Sequence, residues 1–544
     1  MTDGSGDATE QEDVTVAAGK LVASLLVEPW GQVSPSVYET GRLVTLAPWL
    51  VGDGRRIDFL LASQRSDGSW GGPDGYALVP TLSATQATFA TLSRARSEAG
   101  AHPAFAGGYG SLVNAVDRGL HRLFGWLNGH GQLLIPDTPA AEIIVPALVM
   151  SINERLEQLA DGWITGLDRY LGGRLRLPSG MDGRVLSDIR HALESGMPVP
   201  EKLFHSLEVA GHAAQGSAAV RLAPPGTVGA SPAATAAWLG DRAPADTGHP
   251  AVRYLEAVVN RYGGPAPCGM PITVFERTWV LSALTAGGIK YTVPTDLVNE
   301  LAASLGLAGT PAGPGLPPDA DTTAVALLTL THLGVRCDLD CLWQYDMGSY
   351  FCTWPGERGY STTVNAHVME ALGASAIRWP ETASRCTATL SKVSAWLLDN
   401  QNEDGSWLDR WHASAYYATA CCAVALDRFG QSRAAAAVRR ARDWVLATQR
   451  ADGSWGRWSA TVEETAYALQ VLLQTGDADD RTVLLAAGRG YTYLRAAIAK
   501  DVQPALWHDK DLYLPVAVVR AAVLAALNLV HHNPALAAQA TDLA

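Results

Sequence analysis

One short pattern occurs three times in this chain and constrains its fold more than any other feature. Residues 59–72, 396–407 and 444–456 each read as the apolar end of a helix, then Gln, two further residues and Asp-Gly-Ser-Trp. The Asp-Gly pair favours a turn in which glycine adopts a positive φ, and the tryptophan can pack back between neighbouring helices. The repeats therefore predict a protein built from helical hairpins joined by a recurring turn.

The rest of the chain reads as a succession of helices. Apolar residues recur three and four positions apart in segments such as 464–476 and 518–530, and Gly or Pro closes most of these segments. We find no alternating strand pattern of useful length. A chain of 544 residues is long enough for two domains with separate cores. The sequence thus predicts an all-α protein of two domains.

Charge and cysteine usage argue against several classes of function. A net charge of −13 argues against nucleic acid as a partner, because binding its backbone needs clustered Lys and Arg. The seven cysteines are scattered, without CxxC pairs, which fits reduced thiols better than disulfides or a zinc site. The acidic start of the chain lacks a signal peptide, and no long apolar run follows it. We expect a cytoplasmic protein that is not transmembrane.

The segment 317–330 places Asp319 and Asp321 after two prolines and before an apolar helical run. An aspartate in this position is an ordinary helix cap, and the helix dipole would favour its charged form. A carboxyl group buried beside another carboxylate instead has a raised pKa and can donate a proton. Metal ligation is a third interpretation of such a pair. The residues of this segment alone leave these alternatives open.

Taken together, these features resemble the class II terpene cyclases, the family that includes squalene-hopene cyclase and the diterpenyl diphosphate synthases. The repeats resemble the QW motifs of that family, and DADTTA at 319–324 resembles the DxDTT variant of its acid motif. The resemblance to the prenyl diphosphate cyclases covers nearly the whole chain. Its further matching stretches, in family order, are 33–43, 141–149, 203–208, 361–372 and 506–515.

The resemblance implies two α/α-barrel domains, β and γ, with the active site in the cleft between them. Residues 1–13 would be a disordered tail and 14–32 the first helix of the β domain. Residues 33–290 would form the γ domain, and 291–544 the rest of the β domain with the acid motif. The chain is too short for a third, class I domain, and it shows no convincing DDxx(D/E) motif.

The implied activity is that of an isomerase, or intramolecular lyase, which cyclises geranylgeranyl diphosphate after protonation. The product would be a bicyclic diterpenyl diphosphate that retains its diphosphate. Farnesyl diphosphate, giving a drimenyl product, is the close alternative. A squalene-type triterpene cyclase and a non-catalytic α/α-barrel protein are the alternatives from other classes. The oligomeric state stays open, with a homodimer among the alternatives.

The resemblance also assigns roles to polar residues around the acid. Asp321 would donate the proton and Asp319 would be its carboxylate neighbour, while Thr322 replaces the more common last aspartate of the motif. Asn365 or His367 would lie beside the acid and orient it or resupply its proton. A hydrogen-bonded core histidine remains the alternative for His367.

His205 matches the histidine that holds the deprotonating water in plant ent-copalyl synthases. Cys268 stands where these synthases have the asparagine that helps the histidine hold that water. This departure argues against an ent-copalyl product.

The diphosphate needs Lys or Arg donors, usually with a hard cation. Lys510 matches the diphosphate lysine of the family, and Arg190 is a second candidate. A lone Lys among aspartates is otherwise a solvated surface residue. For the cofactor Mg²⁺, the candidate ligands are Asp137 and Glu142 of the acidic stretch in the γ domain.

Aromatic residues can stabilise a carbocation with their ring faces. The chain has 17 tryptophans, many for its length, and some of them could line a cavity. The candidates for lining such a cavity are Trp354, Trp407, Trp411, Tyr416 and Tyr417, and of these Trp354, Trp411 and Tyr416 are expected to contact the substrate. A place in the hydrophobic core is the alternative for each of them.

Overall fold

The computed structural model describes residues 5–97, 108–129, 133–159, 164–476, 480–498 and 503–536. These residues are mainly helical, which confirms the all-α prediction. No helix among them is long and apolar enough to cross a membrane. They form two barrels, which we call the β domain and the γ domain.

The β domain is a closed barrel of helices. Its helices are α1 (Ser5–Val27), α10 (Thr273–Ala286), α11 (Thr295–Ser304), α12 (Ala320–His332), α13 (Thr362–Arg378), α14 (Ala383–Asp399), α15 (Ala415–Phe429), α16 (Ala435–Ala447), α17 (Val462–Gln474), α18 (Arg481–Ala497) and α19 (Val516–His531). The inner ring runs α10, α12, α13, α15, α17, α19 and back to α10, and the others pack against its outside. A short antiparallel hairpin, β1 (Trp507–His508) and β2 (Leu512–Tyr513), precedes α19.

The γ domain repeats this architecture with fewer helices. Its helices are α2 (Val37–Leu46), α3 (Asp53–Ala62), α4 (Leu78–Ser97), α5 (Gly108–Leu127), α6 (Ala141–Gln158), α7 (Arg184–Glu194), α8 (Pro232–Leu239) and α9 (Pro250–Arg261). A 3₁₀ segment, Glu201–Ala214, closes the inner ring between α6 and α8, and α2 and α4 complete it. The predicted pair of α/α-barrels is therefore confirmed.

The two hydrophobic cores divide the chain slightly differently from the predicted boundaries. The core of the β domain contains Leu21 and Leu25 of α1 together with residues from Trp279 onward. The cores of the γ domain extend from Tyr38 to Met270. Helix α10 thus belongs to the β domain, although it lies before the predicted boundary at residue 290. Helix α1 begins at Ser5, within the predicted tail, and residues 1–4 lie outside the described residues.

The three sequence repeats form the turns that their residues predict. In the third repeat, the fully buried Trp455 donates its indole N–H to the carbonyl of Val445 at 2.7 Å. Gln449 donates to the carbonyls of Gly453 at 2.9 Å and of Ala486, on the next outer helix, at 2.8 Å. Gly453 has a φ of +87°. The same contacts recur in the first two repeats, so each repeat fastens one outer helix to the next.

Candidate active site

The acid motif lies at the start of α12, on the inner ring of the β domain. Asp321 occupies the first turn of this helix, and its side chain is 15% exposed. Nδ1 of His367, on the neighbouring helix α13, lies 2.6 Å from the Asp321 carboxylate. The structure thus brings together the two residues that the sequence assigned to proton donation.

The charge of this pair follows from its surroundings. Burial opposes a charged imidazole, but the Asp321 carboxylate outweighs burial and raises the pKa of His367 well above its usual value. His367 is therefore an imidazolium that donates to one oxygen of Asp321. The second oxygen of Asp321 is not part of this contact.

Asp319 has a different environment from Asp321. Its carboxylate caps α12, accepting from the backbone N–H of Thr322 at 2.6 Å and from the Thr322 hydroxyl at 2.8 Å. Burial raises the pKa of Asp319 to about 7, against the lowering effect of the Thr322 N–H, and the nearby charge of Asp321 adds to the rise. The capping interpretation is confirmed for Asp319. Thr322, which replaces an aspartate of the family motif, serves as its hydrogen-bond donor.

A cluster of aromatic side chains packs on one side of His367. The ring of Trp279 meets the imidazole edge to face at 5.4 Å, and the Trp279 indole N–H donates to the hydroxyl of Tyr417 at 3.0 Å. Trp507 packs against Tyr417 with ring centroids 4.7 Å apart. Trp279 and Trp507 were not predicted as site residues. Trp507 carried a usable signal because it belongs to the matched stretch 506–515, whereas Trp279 carried none.

A second ion pair joins the two domains. Nε2 of His205, in the γ domain, lies 2.8 Å from the carboxylate of Asp509, in the turn of the β1–β2 hairpin. Burial opposes both charges, yet each partner stabilises the other, so the pKa of His205 is raised and that of Asp509 is lowered. Cys268 is fully buried near this pair, and burial followed by the charge of Asp509 raises its pKa well above the usual value. Its thiol therefore stays neutral, and the residue exposes no surface to a ligand.

Tyr513, in strand β2, is affected by the carboxylates of both ion pairs. Burial raises the pKa of its hydroxyl well above the usual value, and the charges of Asp509 and, more weakly, Asp321 add to the rise. Both carboxylates therefore act on the same side chain. Contacts between aromatic rings also lead from His367 through Trp279, Tyr417 and Trp507 to Tyr513, in the hairpin that carries Asp509.

Lys510 does not fit its predicted role as diphosphate ligand. Its side chain is fully buried, and its ammonium contacts the carboxylates of Glu39 at 2.8 Å and Glu208 at 3.0 Å. It also donates to the Ser231 hydroxyl at 2.8 Å and the His205 carbonyl at 2.9 Å. With four acceptors from the γ domain around it, this lysine holds the two domains together.

Three other predicted site residues also have structural partners. Asn365 is fully buried and exchanges hydrogen bonds with the backbone of Phe351, so it does not contact the acid. Arg190 lies inside the γ domain, where it donates to the carbonyl of Val209 at 3.1 Å. Tyr416 of α15 packs against Trp444 of outer helix α16, with the two rings tilted and their centroids 4.6 Å apart. Similarity to the family motifs did not distinguish these residues from residues whose side chains face the site.

Trp354 and Trp411 lie beside a cation at the domain boundary. Their rings meet edge to face at 5.4 Å, and both indole N–H groups are buried without a hydrogen-bond partner among the described residues. Arg410 lies 5.5 Å from the Trp411 ring and bridges Glu357 and, across the boundary, Asp137, each at 3.1 Å. Unpaired donors next to a guanidinium group suit an anionic ligand.

Comparisons with known proteins gave matches over nearly the whole chain. Residues 360–512 match the family model of the squalene-hopene cyclase C-terminal domain. The chain is 44% identical to the ent-copalyl diphosphate synthase of Streptomyces sp. (strain KO-3988), over 94% of this chain and 95% of that protein. It is 40% identical to the labda-7,13-dienyl diphosphate synthase of Streptomyces clavuligerus, over 94% and 92%. The solved structure of ent-copalyl diphosphate synthase from Streptomyces platensis has a TM-score of 0.90 at 45% identity, covering 95% of this chain and 99% of that one.

The predicted Mg²⁺ site at Asp137 and Glu142 was wrong. Copalyl diphosphate synthases, to which the chain is similar, start their reaction by protonation from an acid, typically without a metal cofactor. No group of three or more His, Cys, Asp or Glu side chains in the described ranges could hold a metal ion. Asp137 instead pairs with Arg410, and Glu142 is exposed in the first turn of α6. Asp137 therefore contributes to the domain contact.

Proposed function

The chain belongs to the class II terpene cyclases, and we propose that it cyclises geranylgeranyl diphosphate to a bicyclic diterpenyl diphosphate. The full-length similarity to copalyl and labdadienyl diphosphate synthases favours this substrate over farnesyl diphosphate. It equally favours a diphosphate substrate over squalene. The diphosphate stays attached to the product, because the reaction begins with protonation of the terminal alkene, at the opposite end of the prenyl substrate.

The observation that carries this proposal is the contact of 2.6 Å between His367 and Asp321. Asp321 is suited to give up a proton here, because a positive charge on His367 stabilises the carboxylate that remains after proton transfer. The free oxygen of Asp321 gives its proton to the terminal alkene. Asp319 fixes the start of α12 and so holds Asp321 in position.

The next steps need cation stabilisation and a proton acceptor. Trp279, Tyr417 and Trp507 offer ring faces next to the acid, where the first carbocation forms. At the other end of the site, the Asp509 carboxylate keeps its charge through His205. We assign the final proton to Asp509, directly or through one water molecule.

The diphosphate needs donors that the buried Lys510 does not offer. We assign this role to Arg410 together with the indole N–H groups of Trp354 and Trp411. These donors lie at the domain boundary, and the two indole groups have no other partner among the described residues. A substrate held there by its diphosphate could reach inward to Asp321.

The acid must recover its proton after each turnover. A cavity of about 100 Å³ inside the β ring is lined by His367, Cys421, Glu370, Gln470 and Gln474. Water in this cavity would connect His367 with polar side chains toward the C-terminal ends of the ring helices. We therefore assign the return of the proton to this route.

The test is incubation of the purified protein with geranylgeranyl and farnesyl diphosphate, followed by dephosphorylation and mass spectrometry. We expect a bicyclic alcohol from geranylgeranyl diphosphate and little product from farnesyl diphosphate. Asp321→Asn should lower kcat by about 10³-fold, because it removes the proton donor and keeps the shape of the side chain. Full activity of this variant on every prenyl diphosphate would refute the mechanism, and a preference for farnesyl diphosphate would refute the substrate.

A further inference from the structure

The γ domain encloses a large cavity that the proposed reaction does not use. It has a volume of about 520 Å³, within the range of small-molecule sites. Its lining includes Thr45 and Leu46 at the C-terminal end of α2, and Ser151 and Arg155 toward the C-terminal end of α6. The opposite end of α2 contacts the β domain, where the Ser36 hydroxyl donates to Asp511. The cavity therefore extends to the end of α2 that lies away from the domain boundary.

Three guanidinium groups line this cavity, those of Arg42, Arg155 and Arg190. Each is bound by a neutral group: Arg42 donates to the Gln86 side chain at 2.8 Å, Arg155 to the Ser93 hydroxyl at 3.1 Å and Arg190 to a backbone carbonyl at 3.1 Å. Within the described ranges, none of the three makes an ion pair with a carboxylate. Nε of Arg155 and of Arg190 is buried and has no hydrogen-bond partner among these residues.

The energetic consequence is that guanidinium charge is held in a partly buried cavity without a direct carboxylate partner among the described residues. Arg42 is only 8% exposed. Burial, together with the positive charges of Arg94 and Arg42, lowers the pKa of Arg155 to about 10. An arginine so placed is destabilised by its neighbours and would gain from an anion between them.

The carboxylates of the cavity act on the arginines only from a distance, Glu208 on Arg42 and Glu154 on Arg155. Glu154, Glu194 and Asp241 are exposed residues at its edge. Glu208 lies at the inner end, but its carboxylate accepts from the Tyr38 hydroxyl at 2.7 Å and from Lys510 at 3.0 Å. The part of the cavity beside the three arginines is left to a ligand.

We propose that this cavity binds a small anion of the diphosphate type, held by Arg42, Arg155 and Arg190. Guanidinium groups bind phosphoryl oxygens through paired N–H donors, and three of them match an anion that carries more than one negative charge. The exposed acidic edge would disfavour long anionic ligands and select a compact one. This proposal does not rest on the proposed cyclase activity, because it concerns binding at a separate cavity.

The experiment is calorimetric titration of the full-length protein with inorganic diphosphate and with orthophosphate. We expect saturable binding, tighter for diphosphate, that is weakened at least about tenfold in Arg155→Met and in Arg190→Met. Arg253→Met is the matched control, since Arg253 is exposed on α9 outside the ring. Arg410→Met distinguishes this site from the domain boundary and should retain the cavity binding.

Far-UV circular dichroism and thermal unfolding should establish that each variant is folded. If Arg155→Met does not fold, Arg155→Lys replaces it, because lysine keeps the charge but loses the paired donors. The proposal is overturned if neither anion binds saturably. It is also overturned if binding survives in the folded Arg155 and Arg190 variants and disappears in Arg410→Met. No outcome depends on product formation, so failure here leaves the cyclase proposal unaffected.

Discussion

Asp319 and Asp321 are separated by one residue, yet their surroundings give them different chemistry. Asp319 receives two hydrogen bonds from Thr322 and is buried, whereas Asp321 faces the imidazole of His367. The sequence placed both before an apolar helix and left capping and proton donation open for each. The distinction depends on α13, which brings His367 to Asp321 but not to Asp319.

The state of His367 gives a prediction for the pH dependence of activity. Its pKa is raised well above the usual value of about 6.5 by Asp321. The imidazolium should therefore persist as pH rises past 6.5 and be lost only at higher pH, when the folded pKa is reached. We expect kcat to stay level across pH ~6.5 and to fall at higher pH. A fall centred at pH ~6.5 in a pH–rate profile would contradict the ion pair.

The state of Asp319 gives a prediction for stability. Its pKa rises from 3.8 unfolded to about 7 folded. Between these values the folded protein holds a proton that the unfolded chain releases, so this residue lowers stability as pH rises from ~4 to ~7. Asparagine does not titrate and can still cap a helix. The free energy of unfolding of Asp319→Asn should therefore increase relative to that of the wild type as pH rises across this range, by at most about 1.4 kcal/mol per pH unit.

Urea unfolding at several pH values measures this difference. The advantage of the Asn variant should grow up to pH ~7 and stay level above it. A difference that does not change with pH would mean that Asp319 is charged throughout and that burial does not control its pKa.

At the scale of elements, the repeat turn was predictable because all its determinants are local. Gln449, Gly453 and Trp455 lie within seven consecutive residues. The positive φ at position 453 favours glycine, and the indole N–H of Trp455 donates a hydrogen bond to the carbonyl of Val445, ten residues before it. The order of helices in the inner ring depends on contacts between distant segments, so the sequence supplied it only through resemblance to a family.

A glycine of this turn offers a test with a matched control. A Cβ on Gly453 would lie 2.6 Å from the Arg489 carbonyl oxygen, and φ is +87°. Gly348 has nearly the same φ, +89°, but open space around its Cβ position. We expect Gly348→Ala to cost about 1 kcal/mol, from backbone strain alone, and Gly453→Ala about 3 kcal/mol or more. If thermal unfolding showed the same loss of stability for Gly453→Ala and Gly348→Ala, the outer helices near Gly453 would be able to move apart and accept the added methyl group.

At the scale of the whole molecule, the domain boundary is built around a buried charge cluster. Lys510 of the β domain lies between Glu39 and Glu208 of the γ domain. Burial raises the pKa of Glu39 to about 7, against the opposing effect of Lys510. The sequence indicated a diphosphate lysine here, because nothing local reveals that Lys510 and Glu39 meet across the fold. Its partners, more than its neighbours in the sequence, decide its role.

This cluster distinguishes a structural lysine from a ligand of the substrate. Lys510→Met leaves two carboxylates buried without their cation and should destabilise the protein by about 3–5 kcal/mol. Adding Glu39→Gln removes one of these charges, so the double variant should recover part of the melting temperature and of kcat. Glu39→Gln alone is the control and should change little, since Glu208 still pairs with Lys510. If Lys510 held the diphosphate, the KM for geranylgeranyl diphosphate would rise equally in Lys510→Met and in the double variant, with no recovery.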